Sequence, residues 1–157
     1  MQIERNHLID TYVGSPTPDA IECRSTVPLW APVFEYPPPD PPTLPAALMI
    51  EIMAQASGFI HMLKTDFESM LYLARVMSAD FHSHARPGDA ITIRSEVRHW
   101  GDGFIVCDAR IDCDADRRAL VSSKLMLKCE PFLSASMRNA FVSVLPADRT
   151  GPVTLSF

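Results

Sequence analysis

The chain has 157 residues, of which 47% are hydrophobic and 21% charged, with a formal net charge of −5. That suits a single globular domain with a core of its own. It excludes nonspecific binding of nucleic acid or anionic lipid, since both depend on concentrated positive charge.

The opening stretch, MQIERNHLIDTYVG, lacks the apolar run of a secretion signal, so a cytoplasmic location is expected. Ile21 to Leu29 reads as a strand weakened by Pro28. Between residues 31 and 45 stand seven prolines, which rule out helix or central strand and predict an extended arm or lid. Pro45 then occupies a helix start, where proline is tolerated.

Ala46 to Leu63 reads as a helix that is apolar on nearly every side, the pattern of a helix wrapped by other structure. Leu44 to Leu63 is also long enough to span a bilayer. Glu51, Gln55 and His61 make a buried helix the better reading, because a mid-span acid is costly in lipid. Glu51 and Gln55 are four apart and share one face, which Gly58 continues. An unpaired buried carboxylate is expensive, so Glu51 needs a reason. It is either a site residue, acting as a base or positioning a water, or a Glu paired across a dimer. Gln55 either bonds Glu51 or packs at a helix–helix contact. Met49, Met53 and Met62 read as core filler that would equally line a tunnel.

Four strand-like runs follow. Leu71 to Phe81 is the first. The turn signal RPGD leads to AITIRSEVRHW, the GDG signal at Gly101–Gly103 to FIVCDARIDC, and DADRR to a run ending at Cys129. Apolar and polar residues alternate along the last three: Ile105, Cys107, Ala109, Ile111 and Cys113, for example, fall on one side. That predicts an antiparallel meander with one buried face. The four cysteines form no C-x-x-C pair and have no His at zinc-finger spacing, so they read as small hydrophobes and no metal site is expected. Arg75, Arg86, Arg94 and Arg98 form either a basic rim for a phosphate or, more simply, a solvated strand face. His7, His61, His82 and His84 read as structural, the last two on one face of a strand.

Together these elements predict an α+β fold in which an antiparallel sheet wraps around one long buried helix. One domain spans residues 1–157, with its core at about 21–129, an N-terminal segment 1–20 and a C-terminal extension 130–157 that packs on the surface or on a partner.

The helix LPAALMIEIMAQASG, the strand-to-turn ADFHSHARPGDAITI and the hairpin after it resemble the hot-dog fold. More narrowly they resemble the 3-hydroxyacyl-acyl-carrier-protein dehydratases, which read roughly F-x-G-H-F-P-G-x-P-x-x-P-G-x-L-x-x-E-A-M-A-Q, with P-G-D later. The likeness runs from about Phe34 to Cys129. Its most specific parts are E-x-M-A-Q-A at Glu51–Ala56 and R-P-G-D at Arg86–Asp89.

The resemblance implies a homodimer or trimer of dimers with sheets joined side by side, and an acyl tunnel near the dimer interface. It implies no cofactor beyond the phosphopantetheine or coenzyme A that carries the substrate, and acyl carrier protein or a CoA thioester as partner. Glu51 falls on the family's catalytic Glu and Gln55 on the motif's Gln. Pro39, Pro42 and Pro45 fall on its prolines, and Ala46 on its helix-starting Gly. Substrate contacts are therefore expected at Tyr36, Pro45, Ala46 and Gln55. Tyr36 and Pro37 stand where Gly and the catalytic His belong. Tyr36 is either a weak acid beside the substrate or an aromatic plug on the proline arm.

Dehydration needs a base for the C2 proton and an acid for the departing hydroxyl. Pro37 supplies neither. Three readings are open: a dehydratase-like subunit, degenerate at the His and completed by an intact relative; a thioesterase using Glu51 and a water; and a non-catalytic acyl-binding or assembly protein.

Overall fold

The computed structural model describes residues 1, 8–34 and 42–145. Two short N-terminal strands, β1 (Thr11–Gly14) and β2 (Ala20–Thr26), precede the long helix α1 (Ala46–Lys64). The remaining strands are β3 (Ser69–Phe81), β4 (Ala90–Gly101), β5 (Phe104–Cys113) and β6 (Ala119–Pro131), and a short helix α2 (Ala135–Val142) follows. All six strands form one antiparallel sheet in the order β1-β2-β4-β5-β6-β3.

The alternation in β5 is obeyed: Ile105, Cys107, Ala109, Ile111 and Cys113 are buried. So are Ile91, Ile93 and Val97 in β4, and these faces close on α1. The helix in turn buries Ile52, Met53 and Phe59 completely. Each such side chain contributes roughly 1.5–3 kcal/mol by leaving water. Where the helix crosses the sheet, Ser57 Oγ and Ser95 Oγ lie 2.7 Å apart, and the Ser57 hydroxyl donates to Met53 O. Small hydroxyls thus hold helix and sheet together with their polar groups satisfied. The β4–β5 hairpin turns through Gly103 at φ +74, a left-handed conformation that glycine adopts without strain.

The observed fold is the α+β arrangement expected, with three differences. First, β3 is not part of the meander. It pairs with β6 at the sheet's outer edge, from Ser69 opposite Pro131 to Phe81 opposite Val121, so the chain crosses from one edge to the centre between β3 and β4. Second, β3 stops at Phe81, so His82 and His84 lie in the exposed connection rather than on one strand face. Third, the N-terminal segment 1–20 holds an unexpected strand, β1, which pairs with β2, the strand expected at Ile21–Leu29.

α1 is long and apolar enough to cross a membrane, yet 67% of that stretch is buried inside the fold. Part of the C-terminal extension also has a defined place. Phe141 on α2 packs against Phe59 of α1, with ring centroids 5.4 Å apart, and Val144 O accepts from Tyr12 N. α2 begins at Ser134, whose Oγ accepts from Met137 N.

Candidate active site

Glu51 sits half-buried one and a half turns into α1. Gln55, one turn further, is buried, and its amide is fixed from both ends. Its Oε1 accepts from Leu8 N at 3.0 Å, which leaves Nε2 to donate to Glu51 Oε1 at 3.0 Å. Leu8 is itself held, since Ser25 Oγ donates to Leu8 O at 2.6 Å. The carboxylate therefore receives a donor whose direction is set by backbone. This is a charge-assisted bond of the stronger kind.

Glu51 and Gln55 edge a cleft of about 380 Å³ that runs between α1 and β3. Ala54, Gly58 and Met62 continue its α1 wall, all on the same helical stripe. Met70, Leu71, Tyr72 and Leu73 form the β3 wall, and α2 contributes Met137 and Phe141. A methyl added at Gly58 would meet Leu71 O at 3.6 Å, an ordinary contact, so the glycine widens the cleft rather than relieving a clash. Among the described residues that line the cleft, Glu51 is the one carboxylate, and none is a histidine. Tyr72 brings a phenol, which makes a weak donation to Met137 Sδ at 3.9 Å.

The sequence candidates divide as follows. Glu51 and Gln55 are brought together. Pro45 caps the start of α1, and its carbonyl accepts from Leu48 N and Met49 N. Neither Pro45 nor Ala46 lines the cleft. Tyr36 and Pro37 fall outside the described residues, as does His7. Arg94 and Arg98 point away from the cleft, onto the outer face of the sheet. There Arg94 bridges Glu22 and Asp112, and Arg98 bridges Glu96 and Asp108. Both arginines are thus ion-paired, and they line a separate hollow of about 530 Å³ on that outer face.

His61 lies ten residues past Glu51, about 15 Å along the helix axis, and cannot reach it. It joins a second cluster instead: its Nε2 is 2.8 Å from Ser69 Oγ and 3.5 Å from Cys129 Sγ. Burial holds the His61 pKa below its ordinary value, so the imidazole is neutral near pH 7. Cys23 lies deeper, and burial pushes its thiol up to about 12, which makes it an inert hydrophobe.

Sequence reasoning missed Tyr72, the β3 wall and α2. Ser134 in SASMRNAF is a helix-capping signal that points to α2. Nothing local shows that α2 returns to the cleft, because that depends on the long-range contact between Phe141 and Phe59.

Comparison with known proteins agrees with this geometry. A family model described as Thioesterase superfamily matches residues 46–120. The 3-hydroxyacyl-[acyl-carrier-protein] dehydratase FabZ of Nitratiruptor sp. is 28% identical over 130 residues, covering 74% of this chain and 88% of that protein. Among solved structures, the dehydratase heterocomplex ApeI:P from Xenorhabdus doucetiae superposes with a TM-score of 0.63 at 18% identity, covering 85% of this chain and 89% of that one. A Streptococcus mutans protein bound to acetyl CoA, smu.793, gives 0.58 at 11% identity, covering 77% and 88%.

Proposed function

Because the chain is a hot-dog protein with 3-hydroxyacyl-acyl-carrier-protein dehydratase relatives, we propose that it is a dehydratase-type subunit that binds acyl thioesters and supplies a carboxylate, Glu51, to a site completed by another chain. The observation that carries this reading is the Glu51 cleft itself: an apolar channel of ligand-site size with a fixed carboxylate at its edge and no histidine among its described lining. In its chemistry, Glu51 and a partner's histidine take opposite sides of the 3-hydroxyacyl thioester. One removes the C2 proton while the other protonates the leaving hydroxyl, and water and the 2-enoyl thioester result. Gln55 keeps the Glu51 carboxylate turned toward the cleft. The carrier is phosphopantetheine on acyl carrier protein or coenzyme A, in the cytoplasm.

Two observations support assembly with a second chain. β3 is the last strand of the sheet, so among the described residues one edge of its thirteen residues has no neighbour, and Val76, Met77 and Phe81 are 41%, 48% and 49% exposed on that strand. A long apolar edge of this kind is a pairing surface. The similar ApeI:P structure is by name a dehydratase heterocomplex, and this supports a heteromer with an intact dehydratase over a homodimer.

A thioesterase reading rests on the family match at 46–120, with Glu51 positioning a water for attack on the thioester carbonyl. Mass spectrometry separates the two. The protein is incubated with 3-hydroxyacyl and 2-enoyl thioesters, alone and mixed with an intact dehydratase, with Glu51→Gln in parallel. The expected result is unchanged substrate alone, and interconversion in the mixture that Glu51→Gln reduces. Interconversion by the isolated protein would overturn the half-site, and release of free acid would make it a thioesterase. Turnover in the mixture that is indifferent to Glu51→Gln would leave an assembly role only.

A further inference from the structure

The Glu51 cleft has a polar end and an apolar end. Along α1 it runs from Glu51 to Met62, eleven residues or about 16 Å of helix axis. Glu51 and Gln55 mark the end where a thioester carbonyl finds polar partners, while Met62 and Met70 mark the other. The wall facing α1 and β3 comes from outside the sheet-and-helix core, from Met137 and Phe141 of α2.

These two side chains differ in freedom. Phe141 is buried and wedged between Phe59 and Phe132, with centroids 5.4 Å and 6.4 Å away. Met137 is half-buried, and its sulfur accepts a weak hydrogen bond from the Tyr72 hydroxyl. α2 as a body is pinned to the turn after α1, where Arg138 Nε donates to Phe67 O at 2.9 Å and Nη2 to Asp66 O at 3.4 Å. A fixed helix thus presents one fixed aromatic and one adaptable thioether to the channel. Methionine suits a surface that must fit a flexible chain, since its unbranched stem repacks at low cost.

We propose that α2 is the acyl-length determinant of this protein, with Met137 the side chain that sets how long a chain the Glu51 cleft accepts. The inference rests on the thioester-binding reading above. A methylene gained or lost in an apolar pocket changes recognition by roughly 10–200-fold, so one side chain at this wall is enough to move the preferred length.

The test measures the affinity of the full chain for butanoyl, octanoyl, dodecanoyl and hexadecanoyl thioesters of pantetheine, with circular dichroism checking that each variant folds. The wild type is expected to prefer one length. Met137→Ala should move that preference to a longer chain and Met137→Trp to a shorter one, each changing the ratio between neighbouring lengths by about tenfold or more. Leu133→Ala, at an exposed position outside the cleft, should leave the profile unchanged. If all variants bind with the wild-type profile, α2 does not set the length, although the thioester site stands. If the folded wild type, alone and mixed with an intact dehydratase, binds none of the four beyond what that dehydratase binds by itself, the thioester site itself falls and this inference with it.

Discussion

Gln55 donates to Glu51 from one helical turn away, at 3.0 Å, and can do so because its own carbonyl is occupied by Leu8 N. Gln55 therefore links the N-terminal segment to the carboxylate. Gln55→Leu leaves the buried Leu8 N–H without this acceptor, which costs about 1–3 kcal/mol. Urea denaturation should show that loss, and hydrogen exchange should quicken at Leu8. Glu51→Gln keeps an acceptor for Gln55 and loses only the charge assistance of that bond, so it should cost less, about 1 kcal/mol or below. Equal losses in the two variants would contradict this division of labour.

His61 predicts a pH dependence of stability. Burial depresses its folded pKa below 6.5, so in the window below that value the unfolded chain binds more protons than the folded one. Stability from this group is complete above about pH 6.5. It declines as pH falls toward the folded pKa and flattens beneath it. Chemical denaturation between pH 8 and pH 5, taken as about the range of histidine titration, should show the decline in wild type and a weaker one in His61→Gln. Parallel curves for the two proteins would assign the acid sensitivity elsewhere.

Arg138 straps α2 to a turn in which Asp66 and Phe67 both hold positive φ, 49° and 58°. Non-glycine residues in that conformation need surrounding contacts to hold them. Arg138→Met removes two donors to backbone carbonyls and should destabilise by about 1–3 kcal/mol. Limited proteolysis should cut first around α2, ahead of the sheet. Cleavage that instead begins in the β4–β5 hairpin would show that α2 does not depend on this strap.

The legibility of the chain follows from the range of each interaction. Strand β5 and its hairpin were readable to the residue because alternation and a Gly103 turn are local signals. Helix α1 ended one residue beyond its expected Leu63. The pairing of β3 with β6 was not readable, since Leu71 meets Cys129 across more than fifty residues and antiparallel alternation fits several neighbours equally. Of the site, the Glu51–Gln55 pair was visible from helical spacing. The orientation of Gln55 was not, because it is fixed by Leu8, nor was α2, because Phe141 reaches its place through Phe59.

The exposed edge of β3 carries the assembly prediction. Met77 and Phe81 are half-exposed apolar residues on a terminal strand whose pairing with β6 shifts register twice, between Leu73 and Arg75 and between Val76 and Ser78. Such irregularities bend an edge strand, and apolar side chains there favour a neighbouring chain over water. Replacing both, Met77→Lys with Phe81→Lys, removes apolar contact and adds like charges that oppose edge-to-edge pairing. Because both side chains are exposed in the single chain, its own stability should change by no more than about 0.5 kcal/mol per site. Sedimentation of the wild type, alone and with an intact dehydratase, should show an assembly that the double variant loses. Loss of assembly without loss of fold places the partner along β3. An undiminished assembly would show that the contact lies away from the β3 edge.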